Sequence, residues 1–339
     1  MKTMNNQTVA AMNNSYQEIA QRIKAANHII ILPHVNMDGD ALGSSSALCM
    51  ALRALGKKAV ILISEPVPSN LDFLAGDLTA TAPDFEPSLA LMVDCAGLKR
   101  IPGREDYFRN APLKAILDHH GVSDETAEAD FGRVEPDAAA AGEMAALLIQ
   151  ALGVPYTLEM AEAIFAAITT DTGNFQHANT TRRTHEIAAS LYQVPGFDCK
   201  KVSNLIYNRN SLRSIRLQGM MMSSIRMYGD NHIAIGRVTQ AMLQEAGCDL
   251  SETEGFVQNI MSIDGVEAGC LLKEASPESV RCSLRSRSFV NVANVATSFG
   301  GGGHVLAAGC TISDYIDEAE RVIAEALSKQ LREDRERNR

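Results

Sequence analysis

Four short apolar runs punctuate the early chain: HIIIL (residues 28–32), AVILI (59–63), LALMV (89–93) and LKAIL (113–117). Each is short, apolar without alternation and bounded by polar or turn residues, which is how a strand buried on both faces reads. Between the first two, residues 41–55 read as a helix stopped by Gly56, a residue that accepts the left-handed conformation at a helix end. Strands alternating with helical patterns predict a parallel, doubly wound sheet, because a parallel connection has to cross over one face.

Alanine-rich stretches at 138–152 and 158–170 continue as helices, separated by Gly153 and Pro155. From about Pro195 the character changes. Residues 199–227 read as a helical connector rich in Arg and Met that passes over Asn208-Arg209-Asn210. A strand at 232–235, helices near 239–246 and 253–260, two β-like runs at 265–273 and 279–284 and a short helix over 292–299 lead to a glycine cluster. An amphipathic helix over 314–330 ends in the solvated tail LREDRERNR. For 339 residues a prior of about one domain per 100–200 residues gives two. The expected organisation is an α/β catalytic domain over 16–194, a helical linker over 195–228 and a smaller α/β substrate-binding domain over 229–330.

Lys and Arg number 31 against 41 Asp and Glu, a formal charge of −10. That balance disfavours non-specific binding to duplex DNA, which needs a positive face to neutralise phosphates. No Trp and 5% aromatics disfavour a platform of stacking rings for long strands. Seven scattered Cys without a CxxC pair fit a reduced, cytoplasmic setting. No apolar leader and no run of membrane-spanning length are present, so no membrane partner is expected.

Ligand-type side chains follow the expected strands, at the carboxyl edge where open α/β sheets place their ligands. His34, Asp38 and Asp40 follow the first, in PHVNMDGD. Asp94 follows the third, Asp118-His119-His120 the fourth, and Asp171 the second alanine-rich helix, in TTDTGNF. Taken singly, each has an ordinary reading as a turn, a helix cap or a core imidazole. Jointly, carboxylates and imidazoles after several strands of one sheet edge point to a shared site. Carboxylates at close range repel unless a cation sits among them. The mix of imidazole and carboxylate without thiolate suits divalent ions and leans to Mn²⁺. There are donors enough for two ions bridged by one carboxylate, a pair that yields hydroxide at neutral pH for in-line attack on phosphorus.

These motifs, in this order, resemble those of the DHH phosphoesterases. Residues 280–309, VRCSLRSRSFVNVANVATSFGGGGHVLAAG, resemble the RNA- and nucleotide-binding domain usually attached to them. The resemblance spans residues 16 to 328. It implies that His34, Asp38 and Asp94 hold one Mn²⁺ and that Asp40, Asp94, His119 and Asp171 hold the second, with Mg²⁺ or Co²⁺ as substitutes. It further implies catalytic roles for Asp94 as the bridge, for Asp118 in orienting an imidazole, and for His120 at the scissile phosphate. The two-domain length is similar to the subgroup acting on very short oligonucleotides and on 3′-phosphoadenosine 5′-phosphate.

In the second domain, Arg285 and Arg287 on either side of Ser286 offer guanidinium forks, while Gly301, Gly302 and Gly303 let backbone amides approach an anion. His304 is placed to bond the phosphate or to stack under a base. The chain departs from the family in two places. Residues 136–143, PDAAAAGE, hold no Ser or Thr where hydroxyls are expected. Asn291 stands where a carboxylate is common, which weakens a capping or substrate role there.

The expected protein is therefore a two-metal phosphodiesterase and phosphatase, with its site in the cleft between two domains. Its substrates would be short single-stranded RNA or DNA oligonucleotides, cut to mononucleotides, with the bisphosphorylated adenosine nucleotide as a candidate second substrate. Alternatives are a cyclic dinucleotide or its linear product as substrate, and a non-catalytic nucleotide-binding module of the same fold. Met220–Met222 and the Arg-rich connector could form a homodimer contact, a buried domain interface being the more ordinary reading.

Overall fold

The computed structural model describes residues 12–121, 125–253 and 255–337, and the chain divides after Arg209 into two compact units. The first holds a six-stranded sheet of β1 (His28–Leu32), β2 (Lys58–Leu62), β3 (Thr79–Ala80), β4 (Leu89–Val93), β5 (Leu113–Asp118) and β6 (Phe131–Val134), ordered β3-β2-β1-β4-β5-β6. Every pairing is parallel. The strand order reverses between β1 and β4, and a crevice opens beyond their carboxyl ends at such a switch point.

The pleat sends alternate side chains to two buried faces. Ile29, Ile31, Ile61, Leu91 and Val93 pack with helices α1 (Tyr16–Ala25), α2 (Gly39–Ala54), α5 (Ala141–Leu152) and α6 (Leu158–Asp171). Ile30, Leu32, Leu62, Ala90 and Met92 pack with Ile101 and with Phe108 of α4 (Glu105–Asn110), beyond the one-turn α3 (Asp72–Ala75). Helix α2 is buried along nearly its whole length, and a Cβ at Gly43 would lie 2.5 Å from the Ala163 carbonyl oxygen. Only glycine lets α2 approach α6 this closely, and that approach sets the depth of the first turn of α2. Two further helices close the unit, α7 (Arg182–Leu191) and α8 (Cys199–Tyr207).

The second unit holds β7 (Arg226–Tyr228), β8 (Ile233–Val238), β9 (Ala268–Ser276), β10 (Ser279–Ser286), β11 (Gly302–His304) and β12 (Ala307–Ile312), ordered β11-β12-β10-β9-β8-β7. Only β8 and β9 run parallel. One face packs Ala234 and Leu271 under α9 (Leu212–Ser223), α10 (Gln240–Ala246) and α11 (Phe256–Met261). The other packs Ile235, Leu272 and Leu284 against α12 (Val292–Ser298) and α13 (Ile316–Arg337). The stretch read as one connector is shared out: Val202 and Ile206 of α8 join the first unit's core, and Leu217 and Met221 of α9 join the second's. No helix among the described residues is long and apolar enough to cross a membrane.

Several expectations are corrected. Residues 138–139 are a bend and Ala140 is extended, rather than helical, and the helix starts at Ala141. The helix expected over 253–260 is a 3₁₀ turn at Leu250–Thr253 followed by α11. Asn291 does cap a helix: its side chain accepts from Asn294 N at 3.2 Å, and its own N–H donates to Asp334 Oδ2 at 2.8 Å. An amide oxygen caps as well as a carboxylate.

Candidate metal and phosphate sites

The first unit brings His34, Asp38, Asp40, Asp94, His119, His120 and Asp171 to one place at the switch point. His34 follows β1, and Asp38 caps α2, accepting from Asp40 N at 3.0 Å and Ala41 N at 2.9 Å. The cap fixes Asp40 in the first helical turn, fully buried. Its oxygens accept from Gly142 N at 2.8 Å and Ala141 N at 2.7 Å. These are the leading amides of α5, whose own N-cap residue Ala140 has no side-chain bond to offer. Asp40 thus supplies the anionic cap that the hydroxyl-free 136–143 stretch lacks.

Asp94 follows β4 with φ +60°, the left-handed region that few side chains other than Asn and Asp adopt. Strain of this kind persists where surrounding structure imposes it. Here it turns a buried carboxylate between two imidazoles, with Oδ2 3.3 Å from His34 Nε2 and Oδ1 3.3 Å from His119 Nε2. Around them, His34 Nε2 lies 3.9 Å from Asp38 Oδ2, and His119 Nε2 lies 3.6 Å from both Asp40 Oδ2 and Asp171 Oδ2. The second nitrogen of each ring faces a backbone carbonyl, His34 Nδ1 that of Val35 at 2.8 Å and His119 Nδ1 that of Ala138 at 3.1 Å. Such bonds place the proton on Nδ1 and leave Nε2 as the donor atom toward the carboxylates.

Three groups of donors lie close enough to hold a cation: His34, Asp38 and Asp94; Asp40, His119 and Asp171; and Asp94, His119 and His120. Asp94 Oδ1 is buried and finds no hydrogen bond, an acceptor that a cation would satisfy. The electrostatics of the bare cluster agree. For His119, burial opposes a charge, but Asp94, Asp40 and Asp171 outweigh it and raise the pKa to about 11. Burial likewise opposes the His34 charge, and Asp94 and Asp38 raise its pKa on balance. Asp171 is pushed up to about 6, first by burial and then by Asp94 and Asp38. Asp40 is raised well above the carboxylate range by burial and by Asp94 and Asp171. The neighbouring thiol stays out: Cys95 Sγ points to the Leu32 carbonyl at 3.7 Å, and burial pushes its pKa up. The donors on offer are imidazole nitrogen and carboxylate oxygen.

Asp118, at the end of β5, takes His120 Nδ1 at 2.8 Å, so the imidazole it orients is that of His120 rather than of His119. That bond is the main reason the His120 pKa is raised. His120 is part-exposed beside the cluster, and Nε2 is the nitrogen with which it would reach a substrate. Two residues without a place in the sequence pattern shape the loops. Glu65, beyond β2, accepts from Met37 N at 3.2 Å and from Asn36 N, which holds the left-handed Asn36 between His34 and Asp38. Asn179 bridges two carbonyls on the other side of the cluster. Such backbone clamps leave no spacing signal.

In the second unit, His304 on β11 and Arg285 on β10 are each paired with Ala307 of β12, so all three share one face of the sheet. Gly302 and Gly309 are paired next along, leaving a floor without side chains. A Cβ at Gly301 would lie 2.1 Å from the Gly309 carbonyl oxygen, so glycine there permits the hairpin's close approach. Arg285 is half-buried, bonds only the Leu284 carbonyl at 2.9 Å and has no carboxylate within ion-pair range among the described residues. Arg287 differs: its guanidinium donates to the carbonyls of Val266 at 2.8 Å, Met261 at 2.7 Å and Ile263 at 3.2 Å, which closes the end of α11. Ser286 Oγ donates to Glu267 Oε1 at 3.2 Å. Of the two expected arginines, Arg287 spends two guanidinium nitrogens on backbone carbonyls, whereas Arg285 spends one.

Comparison with known proteins follows this division. The DHH family, N-terminal domain, matches residues 28–168, and the DHHA1 domain matches residues 232–333. The bifunctional oligoribonuclease and PAP phosphatase NrnA of Thermus thermophilus is 34% identical over 327 residues, spanning 92% of this chain and 93% of that protein. Its namesake in Bacillus subtilis is 30% identical over 91% of this chain and 96% of that one. Among solved structures, an exopolyphosphatase-related protein of Bacteroides fragilis superposes with a TM-score of 0.86 at 27% identity, covering 93% of this chain and 95% of that one. The exonuclease RecJ bound to manganese shares the fold, with a TM-score of 0.56 at 17% identity over 95% of this chain and 97% of that one.

Proposed function

The chain belongs to the DHH family of enzymes that hydrolyse phosphoester bonds, and from that premise we propose a divalent-metal-dependent hydrolase that cuts very short oligonucleotides to mononucleotides and removes the 3′-phosphate of 3′-phosphoadenosine 5′-phosphate. The observation that carries the chemistry is Asp94, a buried carboxylate held at positive φ with one oxygen toward His34 and the other toward His119. The relatives named for both activities span nearly the whole of this chain.

In this reading His34, Asp38 and Asp94 hold one ion, and Asp40, Asp94, His119 and Asp171 hold the other. Mn²⁺ fits the thiolate-free donor set, with Mg²⁺ or Co²⁺ as substitutes. When bound, the pair supplies the nucleophile by lowering the pKa of water. The chain's own groups do the rest. Asp118 keeps His120 oriented, and His120 Nε2 bonds a phosphoryl oxygen or hands a proton to the leaving oxygen. Arg285 and His304 capture a terminal phosphate over the glycine floor of the second unit.

Purified protein with Mn²⁺ should release mononucleotides from a labelled dinucleotide and AMP from 3′-phosphoadenosine 5′-phosphate. An end-labelled length series should show turnover falling steeply with strand length. Folded, metal-loaded protein that releases neither product would end the reading.

A further inference from the structure

We propose that Asn179 is a positioning residue that locks Asp171 and His119 into one ion position by joining the backbone supports of both. The inference rests on the proposed metal chemistry for its purpose, though not for its geometry. Asp171 closes α6, and its carbonyl is one of the helix-end acceptors left without an intrahelical partner. Asn179 Nδ2 donates to that carbonyl at 3.1 Å and to the carbonyl of Ala139 at 2.9 Å. Both hydrogens of one amide are thereby used. The carbonyl next to Ala139, that of Ala138, holds His119 Nδ1. One side chain therefore ties the helix end carrying Asp171 to the bend at 138–139 that orients His119.

The loop between them explains why such a tie is needed. Gly173, Asn174 and Phe175 all have positive φ, at +54°, +57° and +65°, a run that L side chains adopt at a cost. The loop's other bonds turn inward: Asn174 N to the Thr169 carbonyl at 2.7 Å, Phe175 N to Thr172 Oγ1 at 3.0 Å, and His177 N to the Thr172 carbonyl at 2.9 Å. They fold the loop on its own helix and do not reach the bend at 138–139. His177 Nδ1 approaches the Asp171 carbonyl at 3.3 Å but makes no bond to Ala139. The link between the two ligand supports rests on Asn179.

Asn179→Leu keeps the side chain's size and removes both donors. Mn²⁺ titration should show one of two binding steps weakened about tenfold, the scale of losing a partner that orients a metal ligand. The other step, at His34, Asp38 and Asp94, should be unchanged. In metal-free protein, amide exchange over residues 171–180 should speed up while α2 and α5 stay protected. Unaltered exchange in that loop would overturn the role of Asn179 whatever the metal result, and so would equal weakening of both steps. Failure of the wild-type protein to take up ions would refute the functional reading instead, and the exchange measurement would still decide the clamp.

Discussion

Asp94→Asn isolates the charge of the shared carboxylate from everything else about that position. Asn tolerates the +60° φ of residue 94, where a side chain lacking a short polar group would add backbone strain. Shape and burial are also kept. What disappears is a negative charge whose two oxygens each stand 3.3 Å from an imidazole nitrogen. Set against a divalent ion about 4 Å away, a unit charge is worth about 8 kcal/mol at an effective dielectric of 20. Relief of repulsion with Asp40 and Asp171 returns part of this, so a net loss near 4 kcal/mol for each ion is a cautious figure, about a thousandfold in affinity. Since Asp94 serves both positions, both ions are affected. The assay is metal content by elemental analysis after dialysis against micromolar Mn²⁺, with dinucleotide turnover on the same sample and circular dichroism to confirm folding. Near-zero ion content and at least a hundredfold slower turnover are expected. A folded variant holding two ions, or turning over within tenfold of wild type, would refute the reasoning.

Glu65→Gln, which keeps an acceptor for Asn36 N and Met37 N, should bind ions like wild type. Glu65→Ala should weaken the His34 and Asp38 position about tenfold, read by Mn²⁺ titration. The metal-free cluster should also respond to pH. His119, raised from 6.5 to about 11, stabilises the fold fully below 6.5, and this is lost as pH rises through 11. Asp171, raised from 3.8 to about 6, likewise favours the fold less as pH climbs through that window. Protons and ions compete for the same atoms, so the rise in Tm on adding Mn²⁺ should be larger at pH 8 than at pH 5.5; the reverse order would count against the cluster as the binding site. Arg285→Ala and His304→Ala should raise KM more than they lower kcat. Arg287→Ala should leave KM alone and lower stability by about 1–3 kcal/mol, because it removes charged donors from backbone carbonyls, measured by urea unfolding.

The ligand residues were legible because a parallel sheet makes its strand ends converge. Strands as apolar as HIIIL and LALMV reveal where those ends are, so His34 and Asp94 could be placed at one edge from spacing alone. The edge strands were not legible. β3 is two residues long, and β11 (GGH) and the first half of its partner β12 (AAG) are built from Gly, Ala and one His, residues that strands otherwise avoid. They are strands because the hairpin's close packing requires glycine, which local propensity does not record. The same limit hid Glu65 and Asn179, which act on backbone amides and carbonyls in other loops. It also hid the bonds of Arg287 to the carbonyls of Val266, Met261 and Ile263, which its neighbour Arg285 does not make. The resemblance to a known family supplied the division of ligands between two ions, which residue types by themselves left open.

Anomalous diffraction from crystals grown with Mn²⁺ tests the central proposition most directly. Two peaks about 3.5–4 Å apart are expected, as in two-metal hydrolytic sites, one beside His34 and Asp38 and the other beside Asp40, His119 and Asp171, with Asp94 between them. A single peak, or ions bound anywhere other than between those side chains, would contradict it.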